Sequence, residues 1–235
     1  VNFTTADKIN FWGPNDAGAA SYMDLSSTRL FRDVGAWYHI VITVDTTESV
    51  EADRAKMYVN GVQETLTGAY KPDEDSSTYV NSTIPHQVGM YGKDADAWYS
   101  SYLAEFYFID GTAYDADDFG ELSSTTNQWI PLDSDDVKDA VTFGTNGFFQ
   151  KYSSNEMSAT AITDSSSSPH TITVNGSSTN ERPSPHTITA NGAAHLIGNK
   201  VGTSAAFDGN GDYLTAPSST DFDFGSAAFT VEGWY

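Results

Sequence analysis

From Trp37 to Asp45 the chain alternates. Tyr38, Ile40, Ile42 and Val44 are all apolar, whereas Trp37, His39, Val41, Thr43 and Asp45 are mixed. A period of two with one uniformly apolar set predicts a β-strand that buries one face, and it puts His39 on the outer one. A polar, acidic stretch, Thr46 to Asp53, leads to a second alternating run in which Ala55, Met57 and Val59 face one way and Arg54, Lys56 and Tyr58 the other. Asn60-Gly61 closes that run with the dipeptide that most readily takes the two positive φ angles of a type I′ hairpin turn.

The same pattern continues on both sides. Lys8 to Trp12 reads as a strand, and YMDL and RLFR, between Tyr22 and Arg32, as two short ones. Gly68 to Asn81, with Pro72, acids and serines, predicts an exposed loop. Thr83 to Gly92 predicts a strand with a proline near its start, where a missing N–H is tolerable at an edge. Asp94 to Ser101 is a short polar loop, and Tyr102 to Ile109 is apolar on both faces except at Glu105, which predicts a strand covered on both sides. Asp115 to Leu122 reads as a single helical turn capped by Asp115, with extended pieces at Trp129 to Leu132 and Thr142 to Phe149. Helical periodicity is missing from nearly the whole chain.

After about Ser153 the composition shifts to Ser, Thr, Asn, Gly and Pro as far as about Asn191. Inside this stretch PHTITVNG at Pro169 to Gly176 is echoed by PHTITANG at Pro185 to Gly192, and each copy reads as a short strand leaving a linker. Two copies are too few for a solenoid. From Gly202 the strand pattern returns in SAAFD, DYLTA and AAFTVEGWY.

Composition narrows the function classes. With 235 residues, 39% of them hydrophobic, the chain can bury a real core. Its 11 basic and 32 acidic side chains give a formal net charge of −21, which repels phosphate backbones and anionic lipids, so neither nucleic acid nor a membrane is expected as a partner. The same charge suits a high-salt setting or the collection of divalent cations. There are no cysteines, hence no disulfides, thiol nucleophile or zinc knuckle. No apolar run reaches the length of a membrane span, and VNFTTADKINFW lacks the basic start and apolar middle of a signal peptide. The expectation is a chain that begins partway through a longer polypeptide.

WYHIVITVDTT followed by RAKMYVNG, and then LAEFYFIDGTAYDADDFGEL with a Trp-x-Pro after it, resembles laminin G-like domains of the concanavalin A-like lectin/glucanase type. The likeness is nearest to the versions in phage tail-fibre and virion structural proteins. AAFDGNGDYLTAPSSTDFDFGSAAFTVEGWY is similar to the opening strands of the same domain type. The resemblance implies an all-β fold, an antiparallel β-sandwich jelly roll, with a Ser/Thr/Pro-rich linker. It divides the chain into residues 1–152, a sandwich lacking its first strands, residues 153–200, the linker with its repeat, and residues 201–235, a set of opening strands. Those last strands belong either to a second tandem domain or to the first, completing it within the chain or in a neighbouring copy.

The family includes glucanases with carboxylates at alternate positions of one strand. Here Glu105 and Asp110 are the nearest candidates, five positions apart and so on opposite faces, and Glu51 with Asp53 lies in a loop without a third carboxylate. No catalytic residue is assigned, and the chain is expected not to be an enzyme. His39, His86, His170, His186 and His195 have no metal or triad spacing, and His170 and His186 hold equivalent repeat positions. Asp94, Asp96, Trp98 and Tyr99 combine aromatic faces with carboxylates and are the candidate glycan-binding residues. Asp208 and Asp212, flanking Gly-Asn-Gly, are the candidate ligands for Ca2+, the one cofactor considered. The resemblance then implies a viral structural module for assembly and glycan-mediated attachment, on the virion surface or otherwise extracellular. Its partners would be copies of itself or other virion proteins. A secreted or cell-surface bacterial adhesin is the alternative, and a glycan-degrading enzyme the third.

Overall fold

The computed structural model describes residues 1–14, 22–81, 86–91, 97–98, 100–153, 161–175, 205–208, 213–216 and 228–234. In chain order the strands are β1 (Asn2–Phe3), β2 (Ile9–Pro14), β3 (Tyr22–Ser27), β4 (His39–Val44), β5 (Ala55–Val59), β6 (Val62–Gln63), β7 (Leu66–Tyr70), β8 (His86–Val88), β9 (Met90–Tyr91) and β10 (Ala97–Trp98). They continue with β11 (Ser100–Asp110), β12 (Gly120–Leu122), β13 (Trp129–Pro131), β14 (Phe148–Gln150), β15 (Ala161–Thr163), β16 (Thr171–Asn175), β17 (Ala205–Asp208), β18 (Tyr213–Ala216) and β19 (Phe229–Trp234). A helix, α1 (Ser134–Ala140), lies between β13 and β14.

The strands build an antiparallel β-sandwich. One layer is a seven-stranded sheet ordered β14-β11-β19-β4-β5-β6, with β17 also on β11, and the facing strands form sheets β1-β2-β3-β7 and β15-β16-β18-β8. Alternate residues of each layer meet in one core. Ile9, Phe11, Met23 and Leu25 enter it from the first facing sheet, Ile162 and Ile172 from the second, and Ile40, Ile42, Val44, Met57, Phe106, Phe108 and Phe229 from the seven-stranded layer. Fully burying one such side chain contributes roughly 1.5–3 kcal/mol.

The strand β4 departs from the single buried face its alternation predicts: all six of its residues are buried. Residues 112–143 fold over the outer face, where Val41, Tyr107 and Ile109 pack with Ala116, Phe119, Val137, Val141 and Phe143. Threonines fasten this cover. Thr43 Oγ1 donates to the Tyr114 carbonyl and Thr230 Oγ1 to that of Thr112, while the Tyr114 N–H donates back to Thr230 Oγ1.

The strand β19 is central in its sheet. Phe229 to Trp234 pairs residue for residue with Val44 to His39 on one side and with Asp110 to Ala104 on the other, across a register shift between Ala104 and Tyr107. At that shift Glu105 has a φ of 51°, the mark of a β-bulge.

Other local expectations meet the backbone as follows. Asn60 and Gly61 take φ values of 51° and 78° and join β5 to β6. Asp115 caps the 3-10 turn Ala116–Asp118 through a capping box. Gly68 to Tyr70, expected to open an exposed loop, form the end of strand β7, and Leu30 to Arg32 is outside any strand. The helix α1 was not foreseen either.

Candidate functional site

The outer surface of the sheet β1-β2-β3-β7 is the face that alternation leaves to solvent. Ile9 and Phe11 point into the core, which sends Asn10 and Trp12 outward; Met23 and Leu25 likewise send Asp24 and Ser26 outward. Register places Asn10 opposite Ser26 and Trp12 opposite Asp24, and the next strand brings Tyr70 opposite Asp24. The Asn10 side-chain amide donates to Asp24 Oδ1 at 2.8 Å, to Ser26 Oγ at 3.0 Å and to the Leu25 carbonyl at 3.3 Å. Three acceptors around one amide nitrogen hold the Asn10 side chain across β2 and β3. Trp12 remains 37% exposed. An accessible indole beside a held amide, a carboxylate and a hydroxyl is the combination that binds a sugar ring by its apolar face and its hydroxyls.

A second set of polar groups lies on the opposite layer, beneath residues 112–143. His39, from β4, and Glu232, from β19, are both fully buried, with Nε2 2.5 Å from Glu232 Oε1. Trp129, from β13, donates its indole N–H to His39 Nδ1 at 2.8 Å and stacks on the imidazole with centroids 5.8 Å apart. The close His–Glu approach has the look of an ion pair, but an imidazolium would carry a proton on Nδ1, aimed at the indole N–H. His39 is therefore neutral, and burial holds its pKa down at about 3. Burial raises Glu232 well above the carboxylate range, with the neighbouring Glu105 adding to the shift. Glu105 is pushed up to about 7 by burial, against the attraction of Lys151 and with the repulsion of Asp133 and Asp135. The Tyr107 phenol is also driven upward, again chiefly by burial, and its oxygen is buried without a hydrogen-bond partner among the described residues.

Two carboxyl groups with raised affinities for protons are what acid–base catalysis uses. In this cluster Glu232 and His39 are wholly enclosed, whereas Glu105 is half-buried. His39, expected on an outer face beside solvent, is the buried centre of it, because residues distant in sequence supply the cover. Asp110, the other carboxylate considered for catalysis, is occupied by the N–H groups of Thr145 and Asn146 and the Asn146 amide.

Of the residues singled out from sequence, Asp94, Asp96, Tyr99 and Asp212 lie outside the described residues, as do His186 and His195. Trp98 and Asp208 are placed by backbone alone, opposite Met90 and Ser100 respectively. His86 Nε2 lies 2.7 Å from the Val80 carbonyl, and His170 Nε2 3.2 Å from that of Thr145. Among the described residues no three His, Asp or Glu side chains converge as a metal site. Sequence reasoning passed over Trp12 and Asp24. The signal was available in the alternation of Ile9 to Trp12 and of Met23 to Ser26, which puts Asn-x-Trp and Asp-x-Ser on one exposed face.

Residues 1–117 match a laminin G-like family model described as "Concanavalin A-like lectin/glucanases superfamily". No curated protein and no solved structure matches the chain.

Proposed function

Residues 1–117 belong to the concanavalin A-like lectin/glucanase superfamily, and on that premise we propose that the chain is a non-enzymatic carbohydrate-binding module whose glycan contact is the outer face bearing Trp12. The observation that carries this reading is the exposed indole of Trp12 set across the register from Asp24, with Asn10 held between Asp24 and Ser26. Stacking on one aromatic ring and hydrogen bonding to two or three fixed polar groups is a weak, open kind of recognition, suited to repeated display. We place the module on the surface of a virion, in a fibre or capsid protein assembled from copies of itself or with other virion proteins. The likeness of its strand motifs to phage structural proteins supports that setting. A secreted or cell-surface adhesin would use the same face. Calcium at Asp208 and Asp212 is a separate proposal, read by titrating the protein with Ca2+ in a calorimeter.

The test is a glycan array probed with the whole chain and with Trp12→Ala. Binding by the parent that falls at least tenfold in the variant supports the reading. An array with no bound glycan, or release of reducing ends from a bound one, sinks it.

A further inference from the structure

The enclosed cluster holds the central strand β19 through a set of groups that tolerates only one charge state. Groups from the sheet and its cover surround Glu232 and its neighbour Glu105. From β4 comes His39, kept neutral by the Trp129 N–H on its Nδ1. From β11 come Glu105 and Tyr107, and Tyr107 pairs directly with Glu232 across the strands. On the other side Glu232 pairs with Val41, which in turn pairs with Tyr58 of β5. The start of α1 contributes Asp133, its N-cap, and Asp135, in its first turn, whose charges are felt by Glu105 and Tyr107. Among the described residues the cation that acts on Glu105 is Lys151, after β14 and 3.2 Å from Asp135, while Lys56 of β5 acts on Tyr58.

Among the described residues, the groups that act on Glu232 itself, His39 and Glu105, bring no positive charge. An ionised carboxylate buried there has no compensating charge, and a second one on Glu105 would repel it. With both carboxyls protonated, Glu232, Glu105 and His39 are all uncharged, and Glu232 offers an O–H as well as an acceptor. Ionisation can be relieved in one direct way: the strand carrying Glu232 lifts from between β4 and β11 and lets the carboxylate reach water.

We propose that β19 is seated by a proton-operated latch, closed while Glu232 and Glu105 both carry their protons and loosened as they ionise. The linkage sets its sign and steepness. Each proton lost on opening makes the open state roughly tenfold more populated per pH unit. The change runs toward opening as pH rises, over the range where the closed strand keeps protons that the open strand gives up.

Hydrogen exchange of the whole chain between pH 5 and 9, corrected for the intrinsic rate at each pH, reads the latch strand by strand. The amides of β19 and their partners in β4 and β11 should lose protection by at least tenfold per pH unit above neutrality, while β2 and β3 of the facing sheet hold theirs. Glu232→Gln, neutral at every pH, should flatten the dependence for β19. Should that variant not fold, Glu105→Gln is the second: it should remove about one decade per pH unit of the change below pH 7. The proposal is overturned if protection in β19 is level across the range, if β2 and β3 lose protection in step with it, or if the Gln variants keep the parent's dependence.

Discussion

The Trp129 indole N–H donates to His39 Nδ1 at 2.8 Å, and this bond makes the imidazole a neutral acceptor at the centre of the seven-stranded sheet. Its consequence appears on the acid side. His39 has a folded pKa of about 3 against an ordinary value of 6.5, so below pH 6.5 the unfolded chain takes up a proton that the folded chain refuses. Stability therefore falls as pH drops from 6.5 toward 3, by roughly 1.4 kcal/mol per pH unit from this group. Urea unfolding of the parent and of His39→Gln at pH 4, 5 and 6 checks it. The gap between the two should change by about that slope, and parallel lines would mean that His39 is not held neutral.

The turn at Asn60-Gly61 supports the same histidine from another direction. Asn60 Oδ1 accepts from the His39 N–H at 2.8 Å. A Cβ on Gly61, whose φ is +78°, would stand 2.3 Å from the Trp129 ring. Gly61→Ala must both strain the left-handed turn, at about 1–2 kcal/mol, and push Trp129 off His39. The expected result is a loss of roughly 2–4 kcal/mol in urea together with an altered near-ultraviolet circular dichroism signal. A stability change without the spectral one would separate the turn from the indole.

Much of the sandwich is legible because burial and alternation coincide. Ile9 to Phe11, Ile40 to Val44, Ala55 to Val59 and Leu103 to Ile109 all show their core faces in the sequence, and the Asn-Gly turn and the Asp115 cap follow from local chemistry. What escaped had a non-local cause. Leu66 to Tyr70 does not read as a strand because Gly68 interrupts it, and the reason for that glycine is the Asp24 carbonyl, 1.8 Å from where its Cβ would be. The helix α1 has seven residues, too few for a period, and buries only Ser134 and Val137. His39 gives no hint of its fate, since its partners Trp129 and Glu232 lie 90 and 193 positions away.

Arg54 ties two acidic loops to the end of β5. Its guanidinium donates to the carbonyls of Glu48 at 2.7 Å, Ser49 at 3.2 Å and Pro72 at 3.3 Å, and reaches Glu74 Oε2 at 3.0 Å. The planar fork serves carbonyls on both loops at once, which a lysine cannot do. Arg54→Met leaves these acceptors without their donor and should lower stability by roughly 2–4 kcal/mol. Limited proteolysis should then cut first between residues 46 and 53 or between 71 and 75. Cleavage elsewhere at the parent's rate would show that the arginine does not hold the loops.

Trp12 and Asp24 separate affinity from stability. Trp12 is 37% exposed on a sheet whose core side is filled by Ile9, Phe11, Met23 and Leu25, so truncating it removes contacts on the outer face and leaves that core filled. Trp12→Ala should lower stability in urea by about 1–3 kcal/mol, leaving the chain folded, while lowering glycan affinity at least tenfold, because a stacked ring supplies both contact area and orientation. Asp24→Ala differs in kind: it removes the Oδ1 that holds Asn10 at 2.8 Å, freeing the amide and blunting selectivity among glycans more than affinity for any one of them. Array binding by the two variants therefore distinguishes a built sugar site from an incidental aromatic. If Trp12→Ala weakens binding and Asp24→Ala changes the rank order of glycans, recognition runs through this face. If both bind as the parent does, the glycan contact lies on another part of the chain, and the outer face of β2 and β3 is only a solvated surface.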